Sequence, residues 1–294
     1  MKNNIEIKSF SPYEEMIAYE TLWARDGATL KRISEYLSHT NRPSKAQFFL
    51  DEYETKDKVK NFLSTIKKDF SVITAESYQY PPALKDPAHQ IKLLYYKGDL
   101  GLLDSPKRIS IVGARKASED GKRRAAKIAR ILAKRGYIIV SGLAEGIDTA
   151  AMEAAISVGG KVIGVIGTPI NEYYPKKNKE LQDVVAKENL LLSHVPLYRY
   201  SKEHFNTKRF YFPQRNISMA AVSDATIIIE ASDTSGTLTQ ARACISLNRR
   251  LFILNSCFEQ ENLLWPHKYE KKGAIRVREI QDILNVLGGD NEIN

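Results

Sequence analysis

A chain of 294 residues accommodates one large domain and a small one, since domains usually run to about 100–200 residues. Hydrophobic residues at 43% and charged residues at 27% describe an ordinary globular protein with enough apolar material for a core. The formal charge of +9 favours a polyanionic partner, and two cysteines, Cys244 and Cys257, are too few for a disulfide framework or a closed zinc site. The opening segment, MKNNIEIKSF, lacks the apolar centre of a secretory leader, and no apolar run reaches the ~18 residues of a membrane span. The expected compartment is the cytoplasm, with no membrane role.

Residues 1–75 are predicted to form a small helical domain. Met16, Tyr19, Leu22 and Trp23 fall at helical spacing, then Leu30, Ile33 and Leu37, then Val59, Phe62, Leu63 and Ile66. Asp26-Gly27 separates the first two stripes, and Asn41-Arg42-Pro43 ends the second. Residues 76–108 read as a proline-rich connector that ends in an extension strand. From 109 to 290 the pattern is different. Short apolar strands at Ile109–Val112, Tyr137–Val140, Lys161–Ile166, Leu190–Ser193, Thr226–Glu230 and Arg250–Leu254 alternate with predicted helices at 118–135, 147–158, 176–187 and 236–248. This is the signature of βαβ crossovers, so the fold class is α/β: a Rossmann-like, doubly wound, mostly parallel sheet covered on both faces.

In such sheets the working residues lie in loops at the carboxyl ends of strands, here 113–118, 141–147, 167–175, 194–216 and 231–237. In the first loop Gly113 permits a tight turn, Arg115 and Lys116 offer cationic donors, and Ser118 is a helix N-cap candidate, an arrangement suited to a phosphate. The dinucleotide fingerprint G-x-G-x-x-G is missing, which argues against an ordinary NAD or FAD enzyme. The helix that follows carries Lys122, Arg123, Arg124, Lys127, Arg130, Lys134 and Arg135 opposite an apolar stripe of Ala125, Ile128, Ala129 and Leu132. The sequence leaves open whether that face meets phosphate or only solvent.

Ser141 and Gly142 in the second loop allow close approach of a ligand. Asp148 either caps the next helix or orients Arg115. The long fourth loop interleaves Tyr198, Arg199, Tyr200, Lys202, Phe205, Lys208, Arg209, Phe210, Tyr211, Phe212 and Arg215. Rings that stack bases, alternating with cations that meet phosphates, suit single-stranded nucleic acid, at about 1–3 kcal/mol per stacked base. Packing on the sheet accounts for Phe212 and Pro213 but supplies no explanation for the cations. In the fifth loop Ser235, Gly236 and Thr237 open another helix and again present donors to an anion. The histidines stand at neither metal nor triad spacing, and His194 reads as a surface residue. No catalytic group, metal site or cofactor is expected.

Taken together, these loops resemble the DNA-processing protein A (DprA/Smf) family. The likeness rests on Tyr80-Pro81-Pro82-Ala83-Leu84, Leu94-Tyr95-Tyr96-Lys97-Gly98, Ile111-Val112-Gly113-Ala114-Arg115 and Ser141-Gly142-Leu143-Ala144-Glu145-Gly146-Ile147-Asp148. It continues through Tyr174-Pro175-Lys176-Lys177-Asn178, Phe212-Pro213-Gln214-Arg215-Asn216, Glu230-Ala231, Ser235-Gly236-Thr237-Leu238 and Lys272-Gly273-Ala274-Ile275, so that it spans 78–288. The resemblance implies single-stranded-DNA binding, a homodimer formed through the Rossmann-like domain, and loading of a RecA-type recombinase during transformation. It also implies a DNA pocket lined by Gly113, Arg115, Ser141, Gly142, Lys176, Arg215, Asn216, Ser235 and Gly236. The sequence departs from the family pattern at Ile217, His194, Ala151-Met152 and Asn255-Ser256, and a winged-helix tail is not evident. The alternatives are a nucleotide-processing enzyme, a sensor of a small nucleotide on the same scaffold, or a paralogue from a defence system or mobile element. The enzyme reading has only Asp233 and Glu230 as nearby acids, because Leu238 follows Thr237 where such enzymes place a carboxylate.

Overall fold

The computed structural model describes residues 11–38, 40, 42–47, 53–85 and 91–288. Residues 1–10, Asn41 and 289–290, on which parts of the reading above rest, lie outside the described residues. The N-terminal stripes form α1 (Pro12–Ala24), α2 (Leu30–Tyr36), α3 (Pro43–Gln47) and α4 (Tyr53–Ser64). Ser11 caps α1 by accepting from the Glu14 amide, and Thr29 caps α2 through the Arg32 amide. α1 is buried almost all round, from Glu15 to Trp23, so it is the central helix of this part and not an amphipathic cover. Its buried Glu15 is neutralised by Arg42 at 2.7 Å and accepts from the Ser44 amide and hydroxyl.

A strand, β1 (Ser71–Thr74), lies within the segment expected to be helical. It pairs antiparallel with β2 (Leu93–Gly98) and so joins the N-terminal part to the main sheet. Four residues are too few to interrupt the helical stripes in the sequence, but Val72 and Ile73 are β-branched and buried, and they suit a pleated edge.

The sheet continues with β3 (Arg108–Val112), β4 (Ile138–Ser141), β5 (Val162–Ile166), β6 (Leu190–Ser193), β7 (Ala225–Ile228), β8 (Arg250–Leu254) and β9 (Ile275–Val277). Among the described residues its nine strands run in the order β1-β2-β6-β5-β4-β3-β7-β8-β9. β2 is antiparallel to β6, and every pairing from β6 to β9 is parallel. The expected doubly wound, mostly parallel α/β sheet is therefore present. β4, β5, β6 and β7 are buried along their whole length, as strands covered on both faces must be. The covering helices include α6 (Glu119–Lys134), α7 (Ile147–Ile156), α8 (Lys179–Glu188) and α12 (Thr237–Ser246), numbered after the short α5 (Pro82–Lys85). α6 buries Ala125, Ile128, Ala129 and Leu132, the stripe read from the sequence.

The order reverses between β3 and β7, since the chain winds outward from β3 to β6 and then returns to β3's other side. That switch point leaves a crevice at the carboxyl ends of β3 and β7, where open α/β sheets bind ligands.

The segment 194–216, expected as one long loop, is helical instead: α9 (Leu197–Lys202), α10 (Phe205–Lys208) and α11 (Tyr211–Val222). Two of these helices are too short to show a 3.6-residue stripe. α11 hides its period because buried polar groups, Arg215, Asn216 and Ser218, replace apolar ones on its inner face. The remaining helices are α13 (Asn255–Phe258), α14 (Trp265–Glu270) and α15 (Ile280–Gly288).

Candidate nucleic-acid interface

The crevice is a cleft of about 540 Å³. Its floor is set by two loops that press on each other. Ala114 N donates to Glu230 O at 2.7 Å, and Ile147 N donates to Ala114 O at 3.3 Å. Gly146 makes this possible, because at its φ of 79° a Cβ would lie 2.4 Å from Ala114 O and 2.5 Å from Arg115 O. The loop so held projects Arg115, which is exposed, over the Phe212 ring at 5.1 Å. Phe212 lies against Tyr174, 5.2 Å between centroids, and against the backbone of Gly167.

Beneath Arg115 sits a buried cation. Arg215 is 5% exposed, and its Nη1 donates to Val165 O at 3.2 Å. Its guanidinium occupies the space over Gly142, whose absent Cβ would stand 1.4 Å from Nη1. Asp148, also buried, supplies a countercharge and accepts from Gly142 N at 3.0 Å. Burial lowers the Arg215 pKa to about 10; Asp148 opposes that shift and the nearby Arg115 adds to it. Burial likewise raises Asp148, against the pull of Arg215 and the Gly142 amide. Two guanidinium groups and one carboxylate leave the floor net cationic. The Arg215 Nε has no hydrogen-bond partner among the described residues, which leaves a donor for a ligand.

The rim is aromatic and basic. Tyr200, Phe205, Asn206, Lys208 and Arg209 line the mouth. Lys208 Nζ lies 4.2 Å above the Tyr200 ring, and Phe205 and Phe210 are 81% and 58% exposed.

Of the residues singled out in the sequence, Gly113, Arg115, Lys208, Arg209, Phe212, Arg215, Asn216, Ser235, Gly236 and Thr237 come together on this cleft. Lys116 lies instead in an adjoining hollow with Arg115, Glu230, Ser232 and Ser235. Lys176 is exposed and outside the cleft lining. Ser141 is fully buried and donates to Ile111 O at 2.8 Å, so it staples β4 to β3, and it is not on the cleft lining.

Two helix N-termini were expected to receive an anion, and both are engaged internally. Ser118 caps α6 through the Gly121 amide, and its own amide and hydroxyl donate to the Glu230 carboxylate, the hydroxyl at 2.7 Å. At α12, Thr237 N donates to Ser235 Oγ and the Thr237 hydroxyl donates to Gly113 O. Asn216 Nδ2 ties the same turn down by donating to Gly236 O at 2.8 Å. Ser118, Ser235, Asn216 and Thr237 therefore shape the loops through hydrogen bonds within the fold, and the arginine and lysine side chains of the lining have no such role among these bonds.

Other expectations are also corrected. His194 is not on the surface: it is fully buried beside Tyr211, and burial pushes its pKa down to about 4. Arg199 has a packing role, since it pairs with Glu203 at 3.0 Å and donates to Arg25 O. Tyr198 and Tyr211 pack inward, on Phe62 and on Trp23. On α6, Lys122 and Arg123 pair with Glu119 and Asp120, and no cation of that helix lines the cleft. Phe205, one of the rings read from the fourth loop, is on the lining, whereas sequence reasoning missed Tyr174, Asn206 and Gln240. It also missed Asn178, whose amide donates to Leu143 O and Thr149 Oγ1 and so fixes the second loop. The asparagine that ends the Lys176-Lys177-Asn178 turn was the available signal.

Fold and site together define an open α/β sheet whose switch-point cleft is cationic at its floor and aromatic and basic at its rim. Residues 71–288 match the family model of DNA recombination-mediator protein A. The DNA processing protein DprA of Streptococcus pneumoniae is 37% identical over 205 residues, 70% of this chain and 70% of its own length. That of Bacillus subtilis is 30% identical over 221 residues, 75% of this chain and 72% of its own. The crystal structure of the S. pneumoniae protein superposes with a TM-score of 0.68 at 30% identity, covering 92% of each chain. A Helicobacter pylori DNA processing protein A structure, described for its single-stranded-DNA binding mode, gives 0.61 at 30% identity over 75% of this chain and 96% of that one. The chain belongs to the DNA recombination-mediator protein A family.

Proposed function

We propose that this protein binds single-stranded DNA in the switch-point cleft and acts as a recombination mediator in DNA uptake, handing the strand to a RecA-type recombinase. The observation that carries the reading is the pairing of a cationic floor, Arg115 above buried Arg215, with a rim that interleaves rings and cations, Tyr200, Phe205, Lys208 and Arg209. Phosphates meet the cations while unstacked bases lie on the rings, a contact that duplex DNA cannot make with its base faces. The H. pylori relative, whose described subject is single-stranded-DNA binding, supports the choice of strand. A homodimer and a cytoplasmic location belong to the same proposal; among the described residues no helix is long and apolar enough to cross a membrane.

Binding without catalysis is part of the proposal. The acids near the cleft hold structure: Glu230 engages Ser118, Asp233 accepts from Trp265 N, and Asp148 accepts from Gly142 N beside Arg215. The test is fluorescence anisotropy with labelled oligo-dT and with a duplex of equal length. The expected result is saturable binding of oligo-dT at least about tenfold tighter than the duplex. Equal affinity for both, or none for oligo-dT at low salt, overturns the reading.

A further inference from the structure

The N-terminal helices have no side chain in the cleft lining, yet one of their carboxylates reaches its rim segment. Glu20, in the middle of α1, is fully buried. Its Oε1 accepts from Leu197 N at 2.7 Å and its Oε2 from Tyr198 N at 2.9 Å, across a sequence separation of 177 and 178 residues. The Tyr95 hydroxyl of β2 also donates to Oε1. These two amides open α9, the helix that carries Tyr200, and α10 with Phe205 and Lys208 follows directly.

Independent contacts run along the same seam. Phe62 of α4 meets Tyr198 edge-on at 5.3 Å, Trp23 meets Tyr211 at 6.5 Å, and Arg199 donates to Arg25 O at the end of α1. The rim segment thus rests on α1 and α4 on one side and frames the cleft on the other. A carboxylate is an unusual choice for so buried a place. Burial is the largest influence on Glu20 and raises its pKa to about 7, against the pull of the Tyr95 hydroxyl and the two amides. An apolar residue would fill the same space without that cost, but it would leave the two α9 amides without an acceptor.

We propose that Glu20 is a positioning residue for the nucleic-acid cleft: by accepting from Leu197 and Tyr198 it fixes the α9–α10 rim, so that the N-terminal helices are a working part of the binding site. This rests on the cleft being the strand-binding site. The side chain acts only through α9, and no contact with the ligand is assigned to it.

Glu20→Gln is nearly isosteric and separates positioning from folding. The amide keeps one acceptor oxygen but turns a donor toward the second α9 amide, while the buried charge disappears. The full chain is read in three ways: hydrogen exchange over 197–210, oligo-dT affinity, and the thermal midpoint at pH 8. The expected outcome is exchange about tenfold faster over 197–210, with β4 and β5 unchanged. Affinity falls about three- to tenfold, while the midpoint stays equal to or above that of the wild type. A residue that merely supported the fold would lower the midpoint and loosen the sheet as well. Unchanged exchange over 197–210 overturns the proposal, and so does faster exchange with unchanged affinity. If the wild type itself fails to bind oligo-dT, the reading of the cleft falls first, a result distinct from a wild type that binds and a variant that binds equally well.

Discussion

Adding a single methyl group at Gly142 tests the buried charge arrangement beneath the cleft. In Gly142→Ala the new Cβ would stand 1.4 Å from Arg215 Nη1 and 2.3 Å from its Cζ, so the guanidinium must leave. Gly142 has no positive φ to defend, and the effect is therefore steric. Two losses follow from the displacement. The bond from Nη1 to Val165 O is given up, and hydrogen bonds to a charged group contribute about 1.5–3 kcal/mol. Asp148, only 4% exposed, also loses its countercharge, and breaking a buried pair costs about 3–5 kcal/mol. The losses overlap, since one motion causes both, and Arg215 regains hydration by swinging into the cleft. The expected destabilisation is about 3 kcal/mol, read from urea unfolding at pH 7. Arg215→Met removes the same charge from the other side and should cost a similar amount. Because both substitutions break one interaction, the double variant should lose about the same 3 kcal/mol and not the sum. Additive losses, or a Gly142→Ala protein as stable as the wild type, refute the reasoning.

Stability against pH should show two opposed slopes. Glu20, raised from 4.5 to about 7, binds a proton in the folded state that the unfolded chain releases, so its contribution is full below 4.5 and is lost as pH rises through about 7. His194, lowered from 6.5 to about 4, does the reverse: its contribution is present above 6.5 and is lost as pH falls through about 4. Each is worth about 3 kcal/mol at full extent by linkage, so the wild type should be nearly flat from pH 4.5 to 6.5. Urea midpoints should fall with acid in Glu20→Gln and rise with acid in His194→Gln; parallel curves for all three proteins contradict the assignment. At the cleft, Ser118→Ala and Lys176→Ala should each alter oligo-dT affinity by less than about twofold, because Ser118 is engaged by Glu230 and Lys176 stands off the lining. A larger loss by anisotropy would place the strand over those residues.

The parallel sheet was legible because each strand is a short apolar run between turn residues, and the helix after Ser118 because its cap, first-turn acids and apolar stripe all agree. The cleft floor was legible in Gly113, Arg115, Arg215 and Asn216. What the sequence hid depended on partners distant in the chain. Glu230 stands 112 residues from Ser118, so nothing near the first loop shows that its anion seat is already filled. His194 reads as a loop residue because its burial comes from Tyr211 on a later helix. The rim aromatics look alike as a string; tertiary packing turns Tyr198 and Tyr211 inward and leaves Phe205 and Phe210 out. β1 was hidden for a different reason: four strand residues carry too little pattern to compete with adjacent helical stripes.

The salt dependence of oligo-dT binding, measured for the wild type and for Arg115→Ala, tests strand binding in this cleft most directly. Each phosphate neutralised on a single strand contributes about −0.7 to the slope of log affinity against log salt. With Arg115, Lys208, Arg209 and Arg215 on the lining, the wild-type slope should be roughly −3. Arg115→Ala should bind at least about tenfold more weakly at low salt, with a slope shallower by about 0.7. A salt-independent affinity, or an Arg115→Ala protein with wild-type affinity and slope, would contradict strand binding in this cleft.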